Sequence, residues 1–361
     1  MASLSTATTS PAQVVDARVA GPESKPWHIR GLVFDLVWIV GMPMLAFLVI
    51  VATCLPRVPG QSILGMVGTT PPLLAFVAGT VTFTHINVTV ARIYLNKDVF
   101  SRFGTRLVVA PIILFVALAV SSPMLAIIGV VAMFWDEYHS FMQTFGFGRI
   151  YDARLGNDPN VGRWHDIFMC FVLEWLPYLI AATFVGEEDH EIFRTGPEYA
   201  LTRRGRFIAP GELQGVLIGF AILYAIFYVA SYTRFARRGY RVAPAKIALF
   251  VSTGAANWLL VGFFSLIEGA AMANLYHGLQ YIAIIWVSER FNLRGTFRLS
   301  NLRKAGVAIA FLIILVPSVM VAVARVAIPA SHLLMAFWAT SSLLHFWSDG
   351  FVWSVRKQQA L

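Results

Sequence analysis

Four of the eight histidines lie inside long apolar segments, where an imidazole has little to bind except another polar side chain or a metal ion. They are His85, His139, His277 and His345. Each is followed by a basic residue at a similar interval of twelve, ten, thirteen and eleven residues, at Lys97, Arg149, Arg290 and Arg356. On helices that rise about 1.5 Å per residue, the four imidazoles therefore lie roughly 15–20 Å from the basic ends. Four imidazoles at one depth predict a ring of ligands around a centre.

Two carboxylates accompany this ring. Asp349 follows His345 by four residues and Asp136 precedes His139 by three, so each shares a helix face with its histidine. Neutral imidazole is a common ligand of iron, copper and zinc, and a carboxylate either binds the metal or fixes the imidazole tautomer. We therefore predict the four histidines as metal ligands, with Asp136 and Asp349 as further ligands or as partners of the ligands.

Other polar residues share the same apolar segments. Gln143 and Gln280 follow two of the histidines by four and three residues, and we predict that their amides orient a substrate or a water molecule. Two more acids, Asp35 and Glu174, lie in apolar runs. Each is either functional or paired with a polar neighbour, because an unpaired carboxylate in hydrocarbon is costly.

The segments that carry these residues are predicted to be transmembrane helices of an all-α polytopic bundle. The sequence is 58% hydrophobic and 13% charged, whereas about a quarter of the residues of an ordinary soluble domain are charged. Apolar runs recur that can cross about 30 Å of hydrocarbon, without the alternation of a membrane β-barrel. We predict about ten spans, at residues 31–55, 72–95, 106–121, 124–148, 165–185, 212–233, 246–265, 268–288, 305–326 and 329–353. The runs Tyr138–Gln143 and Tyr276–Gln280 are alike, which indicates a weak internal duplication of spans one to four as spans seven to ten.

The basic residues predict the orientation of the bundle. The tail before span one, the segments after spans two, four, six and eight, and the end of the chain together hold 22 of the 28 lysines and arginines. Under the positive-inside rule, this places both termini in the cytoplasm. The net charge of +9 then faces the anionic inner leaflet, and no nucleic-acid partner is needed to explain it. We predict a multi-pass protein of the plasma membrane, which is the inner membrane if the source is a Gram-negative bacterium.

The chain divides into one membrane domain and two tails. Residues 1–29 are rich in Ser, Thr, Ala and Pro and are predicted to be a disordered cytoplasmic tail. Residues 30–355 are predicted to form the transmembrane helical domain, with an outer loop at 186–211. Residues 356–361 are predicted to form a second cytoplasmic tail.

Histidines scattered over several spans, as His85, His139, His277 and His345 are, resemble the arrangement in membrane-embedded non-haem iron oxygenases, including the Brp/Blh carotene dioxygenases. The resemblance is architectural and involves no continuous motif, and the histidine boxes of fatty-acid desaturases and alkane hydroxylases are absent from the sequence. It implies a membrane metalloenzyme, an iron-dependent oxygenase or another oxidoreductase, that acts on a lipophilic small molecule. Unless it is a dioxygenase, such an enzyme needs an external electron donor.

Two other functions fit the same residues. Two opposed histidines can clamp a haem, which would make the chain an electron-transfer protein, although four ligands at one depth exceed the two that a haem needs. A ring of histidines and aspartates can also relay protons, which would make the chain a proton- or ion-coupled transporter. Iron is the expected metal, and copper and haem are the alternatives.

The predicted orientation can be tested with reporter fusions. We expect fusions after Lys97, Arg238, Arg294 and the C-terminus to report a cytoplasmic location, because the basic residues cluster on that side. A paired phosphatase and fluorescent-protein reporter measures this. A fusion after Ala200, in the predicted outer loop, is the matched control and should report the opposite side. A non-cytoplasmic signal at any two of the first four sites would contradict the ten-span arrangement.

Overall fold

The computed structural model describes residues 28–54, 72–182, 211–264, 266–327 and 331–352. Within these ranges every regular element is helical and no strand is present, which confirms the predicted all-α class. The two predicted tails and the predicted loop at 186–211 lie outside the described residues, apart from residues 28, 29 and 211.

Each predicted span coincides with a helix or with consecutive helical segments. In chain order these are α1 (Leu32–Phe34), a π-helical segment (Asp35–Val40), α2 (Met42–Cys54), α3 (Pro72–Leu95), α4 (Lys97–Val120), α5 (Ser122–Arg154), α6 (Arg163–Cys170), a second π-helical segment (Phe171–Trp175), α7 (Leu176–Ala182), α8 (Glu212–Arg237), α9 (Pro244–Phe263), α10 (Leu266–Thr296), a 3₁₀ turn (Ser300–Leu302), α11 (Arg303–Ala327) and α12 (His332–Val352). The largest difference is at α4, which begins at Lys97 rather than at residue 106. Asn96 caps this helix, because its side chain accepts hydrogen bonds from the backbone amides of Asp98 and Val99.

Several helices are long and apolar enough to cross a membrane. Among the described residues, α3, α4, α8, α9 and α11 meet this condition by length and composition, and the bent pair formed by Leu32–Val40 and Met42–Thr53 adds a sixth if it is one span. Three of the four helices that carry the predicted ligand histidines, α5, α10 and α12, fall outside this set, and the fourth, α3, belongs to it. The total of ten spans and the cytoplasmic location of the termini stay predictions.

The periphery of the bundle is apolar. On α8, Leu223, Ile226 and Val229 are 62–69% exposed, and only 6% of the most apolar part of this helix is buried, against 61% for α9. Exposed apolar surface of this extent is typical of a face that meets lipid rather than water. The helix α8 is therefore peripheral, and α9 is internal.

A bend of 50° separates the first π-helical segment from α2. Gly41 occupies this bend, where a Cβ atom would lie 2.6 Å from the carbonyl oxygen of Leu36, so the backbone could not approach as closely with any other residue. At the start of the segment, Asp35 is fully buried. It accepts hydrogen bonds from the backbone amide of Ile29 at 2.6 Å and from the phenol of Tyr151 at 3.0 Å. This carboxylate is satisfied by its neighbours and fixes the entrance of the chain into the bundle.

Helices α3 and α10 form the central pair of the bundle and pack along much of their length. Their closest approach includes Gly278, where a Cβ atom would lie 2.7 Å from Val81 Cγ1. Small residues allow helix backbones to approach in this way in membrane proteins. Because Gly278 is next to His277, and Val81 is one turn before His85, the close approach brings two of the predicted ligands together.

A buried ion-pair network joins α5, α6, α8 and α9 at one end of the bundle. Lys246 donates to Asp152 at 2.7 Å and to Asp166 at 2.8 Å. Arg149 donates to the same two carboxylates at 3.0 and 2.8 Å, and Tyr232 donates to Asp166 at 2.6 Å. Each of the four charged side chains is at most 6% exposed. Two cations against two anions leave no net charge, which is the condition under which buried charges are tolerated.

The contribution of this network can be measured with one substitution. Asp166→Asn removes an anion and leaves two buried cations with a single carboxylate, so we expect the free energy of unfolding in detergent to fall by about 3–5 kcal/mol. Loss of helical circular dichroism in denaturant measures this. Asp158→Asn, at an exposed carboxylate, is the control and should change stability by less than about 0.5 kcal/mol. Equal stability of the two variants would show that the network does not hold this end together.

Candidate metal centre

The four predicted ligand histidines come together, one from each of four helices. His85 lies on α3, His139 on α5, His277 on α10 and His345 on α12. One nitrogen of each imidazole can be chosen so that all four atoms lie within 4.8 Å of one another. Distances of this size between donor atoms are what a shared metal ion requires. The clustering predicted from depth along the helices is therefore confirmed.

The four imidazoles form a closed ring. Going around it, the ring centroids of His85 and His277 are 4.8 Å apart, those of His277 and His139 4.9 Å, those of His139 and His345 4.8 Å, and those of His345 and His85 4.1 Å. Across the ring, His85 and His139 are 6.2 Å apart. Neighbouring rings meet edge to face, and the Nε2 atoms of His85 and His345 face each other. The nitrogens therefore point toward a common centre.

Several of these nitrogens have no hydrogen-bond partner within the described residues. The atoms concerned are Nδ1 of His85, Nε2 of His139, and both Nδ1 and Nε2 of His277, and all of them are buried. A buried polar atom without a partner destabilises a protein by about 1–3 kcal/mol. A metal ion at the centre of the ring would give a partner to Nε2 of His139 and to one nitrogen of His277, since each imidazole offers one donor atom to an ion. The donor set therefore fits a metal.

The ring is enclosed by protein on most sides. His85, His277 and His345 are buried, and His139 is slightly more accessible, with 10% of its side chain exposed.

No family model, curated protein or solved structure matches the chain. Four imidazole donors are a ligand set for iron, copper, zinc or nickel. On this chemistry the ring is a candidate metal centre.

The two predicted carboxylates take different positions. Asp349 Oδ2 lies 3.6 Å from His139 Nε2 and 3.8 Å from His345 Nδ1, so this carboxylate is beside the ring. Its other oxygen, Oδ1, accepts a hydrogen bond from Tyr281 at 2.7 Å. Neither acid belongs to the group of side chains whose donor atoms converge, and of the two only Asp349 lies within 4 Å of a ring nitrogen among the described residues, whereas Asp136 is half-buried elsewhere on α5. The geometry therefore favours Asp349 over Asp136 as the acid that serves the centre.

The two predicted glutamines connect helices next to the ring. Gln143 donates at 3.1 Å both to the backbone carbonyl of His277 and to the side-chain oxygen of Gln280. Gln280 donates in turn to the backbone carbonyl of Ile39 at 2.7 Å. These amide N–H groups are engaged with the protein itself, and they hold α5, α10 and the first π-helical segment in register. A role in orienting a substrate or water stays a prediction.

Glu174 is hydrogen-bonded to residues that are adjacent in sequence to two of the ligands. This carboxylate is 1% exposed and lies in the second π-helical segment. It accepts hydrogen bonds from Ser140 at 3.0 Å and from Tyr276 at 2.7 Å. Ser140 follows His139 in the sequence and Tyr276 precedes His277, so each bond fixes the chain beside a ligand.

The sequence reasoning missed two residues at the centre, Thr89 and Tyr281. Thr89 Oγ1 lies 2.9 Å from His345 Nδ1 and 3.0 Å from the hydroxyl of Tyr281. Each of the two follows a ligand histidine by four residues, as Gln143 and Asp349 also do. All four ligands thus have a polar residue one turn further along the same helix face. This shared interval is a signal in the sequence that could have found Thr89 and Tyr281.

The positions of the two acids predict unequal effects of substitution. We expect Asp349→Asn to weaken metal binding about 10–100-fold, as loss of a charged partner of the ligands typically does. Asp136→Asn is the matched control and should bind metal nearly as wild type does. Titration against a chelator of known affinity measures both. Loss of metal in Asp136→Asn, with retention in Asp349→Asn, would reverse the assignment and make Asp136 the ligand.

Proposed function

We propose that this chain is an integral membrane metalloenzyme, an iron-dependent oxidoreductase that acts on a lipophilic substrate. The observation that carries the proposal is the ring of His85, His139, His277 and His345, whose donor nitrogens lie within 4.8 Å of one another. The ring lies inside a helical bundle with an apolar exterior. A lipophilic molecule dissolved in the bilayer would reach such a centre without entering water.

Iron suits a centre of this composition. Imidazole nitrogen is a good donor for iron, and iron takes up more than four ligands, so four histidines leave positions at which O2 or a substrate oxygen can bind. A structural zinc site is closed by four protein ligands and has no such position. Bound iron would supply the redox chemistry, while the protein holds the ligands and excludes water. An oxygenase that is not a dioxygenase would also need an external electron donor.

The surroundings of His139 support a lipophilic substrate. The ring of Phe346 lies 5.0 Å from that of His139, and the ring of Trp135 lies 6.2 Å from Phe346. Trp135 also lines a shallow groove on the outer face of α5 with Phe134 and Tyr138, whose side chains are 46% and 47% exposed. Aromatic side chains thus lead from the outer surface of the bundle to the most accessible ligand.

The arrangement favours non-haem iron over haem. A haem held by two histidines needs a flat gap for its macrocycle between them. The two imidazoles that face each other across the ring, His85 and His139, are flanked on both sides by His277 and His345 at centroid distances of 4.1–4.9 Å. No gap for a macrocycle remains between them.

Elemental analysis and absorption spectroscopy test the proposal. Protein purified in detergent should contain stoichiometric iron and show no Soret band. Alanine at any one of the four ligand histidines should remove most of the iron, because loss of one donor opens the ring. His165→Ala and His332→Ala are the controls. The imidazole of His165 stacks on the ring of Phe227, with centroids 5.5 Å apart, and Nε2 of His332 lies 2.9 Å from the carbonyl oxygen of Leu118. Both side chains are away from the ring of ligands.

Each other outcome points to a different function. A Soret band would identify a haem protein instead. Protein that takes up no metal even after incubation with Fe²⁺, Cu²⁺ or Zn²⁺ would favour a proton- or ion-coupled transporter that uses the histidines as a relay. Full metal content in two of the four alanine variants would contradict the ring as a metal centre.

A further inference from the structure

We propose that Thr89 and Tyr281 form a hydrogen-bonded relay that connects the ligand His345 to the carboxylate of Asp349 and thereby selects the nitrogen of His345 that binds the metal. The inference rests on the proposed metal centre. It assigns positioning roles to two residues that do not themselves bind the metal.

The relay is continuous in the structure. His345 Nδ1 lies 2.9 Å from Thr89 Oγ1. Thr89 Oγ1 lies 3.0 Å from the hydroxyl of Tyr281, and this hydroxyl donates to Asp349 Oδ1 at 2.7 Å. Thr89 and His345 are 1% and 3% exposed, and Tyr281 is 4% exposed, so water does not compete for these bonds.

The direction of each hydrogen bond in the relay follows from its last acceptor, Asp349 Oδ1. The hydroxyl of Tyr281 donates its single proton to Asp349 Oδ1 at 2.7 Å, so that proton is not available to Thr89. We assign the single proton of the Thr89 hydroxyl to the oxygen of Tyr281 or to the backbone carbonyl of His85, 3.1 Å away, because both of these atoms can only accept there, whereas His345 Nδ1 can carry a proton itself. In both cases Thr89 has no proton left for His345 and accepts one from Nδ1. His345 is therefore protonated on Nδ1.

Protonation of Nδ1 leaves the lone pair of His345 on Nε2. This is the atom that faces Nε2 of His85 inside the ring, so the tautomer set by the relay is the one that can bind a metal there. A ligand imidazole that donates its other N–H into a chain ending on a carboxylate is also held in orientation and made more basic. The relay thus prepares His345 as a ligand before any metal arrives.

The relay also ties three of the four ligand helices together. Thr89 follows His85 on α3, Tyr281 follows His277 on α10, and Asp349 follows His345 on α12, each by four residues. Contacts between these helices therefore recur one turn beyond the ring, which requires the three helices to run in the same direction there. Tyr281 adds a contact to the ring itself, since its aromatic ring lies 4.3 Å from that of His85.

The test compares Thr89→Val, Thr89→Ser and Tyr281→Phe. Nitrogen-15 NMR of histidine-labelled, metal-free protein in detergent reports which nitrogen of His345 carries the proton, and the signal is assigned by its loss in His345→Gln. Anaerobic titration with Fe²⁺ against a competing chelator gives the affinity.

We expect graded results. In Thr89→Val, His345 should lose its uniform Nδ1-protonated signal, and Fe²⁺ affinity should fall at least about tenfold. Thr89→Ser keeps the hydroxyl and should restore both. Tyr281→Phe should keep the tautomer, because Thr89 can still donate to the His85 carbonyl. The Fe²⁺ affinity of this variant should fall about tenfold, and the reduction potential of the bound iron should rise. Both effects follow because residue 281 no longer donates a hydrogen bond to Asp349.

Two matched controls separate the relay from general destabilisation. Thr84→Val makes the same change at another buried threonine of α3. Among the described residues, the Thr84 hydroxyl donates only to the backbone carbonyl of Thr80. Tyr151→Phe removes an equivalent buried phenol–carboxylate bond, the one to Asp35. Both should keep the His345 signal and the Fe²⁺ affinity of the wild type.

The outcomes distinguish this inference from the proposed function. An unchanged His345 signal in Thr89→Val, with wild-type affinity, would overturn the relay while leaving the metal centre intact. A change in the controls as large as in the relay variants would also overturn it. If wild-type protein binds no iron, the proposed function fails, and the NMR comparison in metal-free protein still decides whether Thr89 sets the tautomer.

Discussion

A polar atom buried within a helical bundle needs a partner inside the protein, and the ring of imidazoles is where this requirement is least met. His277 has no hydrogen-bond partner at either ring nitrogen among the described residues, and His85 and His139 each leave one nitrogen unpaired. Three such side chains, brought to one level with His345 by four separate helices, destabilise the bundle unless something binds at their centre. A metal ion bound to one nitrogen of each imidazole would lower this penalty and favour the convergence of α3, α5, α10 and α12.

The other buried charges differ from the ring because their hydrogen bonds come from the protein. Asp166 accepts hydrogen bonds from Arg149, Lys246 and Tyr232. Asp35 accepts from the backbone and from Tyr151. These carboxylates are structural, since protein groups already donate the hydrogen bonds that a ligand would otherwise supply. Comparison of the two kinds of site explains why burial of a charged group alone does not mark function, whereas burial of several donors without partners does.

The depth of each ligand histidine along its helix could be predicted from the sequence. The rise per residue is constant, and the basic residues at the helix ends provide a common reference. That argument placed His85 and His345 at one level although 260 residues separate them. The same argument could not rank Asp136 against Asp349, because helix rotation decides which acid faces the ring, and rotation depends on packing between helices. Thr89 was overlooked because a threonine in an apolar helix commonly bonds to its own backbone, as Thr84 does. Only the interval of four residues shared with Tyr281, Gln143 and Asp349 distinguishes it.

The two sides of the ring differ in chemistry, and the difference bears on how the centre would work. One turn after the ligands, every helix carries a hydrogen-bonding side chain, and these are Thr89, Gln143, Tyr281 and Asp349. Four residues before them, the corresponding residues are Val81, Trp135, Ala273 and Ser341, which are apolar except for Ser341, whose hydroxyl donates to the carbonyl of Phe337.

The polar side holds the imidazoles in place, because its hydroxyl, amide and carboxylate groups bond to the ligands and to one another. The other side is mostly apolar apart from Asp136, and through Trp135 and Phe346 it continues to the outer surface of α5. In the proposed enzyme, the polar side would hold the ligands and the apolar side would face the lipophilic substrate. That function would need rigid ligands together with a substrate that exchanges with lipid, and opposite sides of the ring could meet the two needs separately.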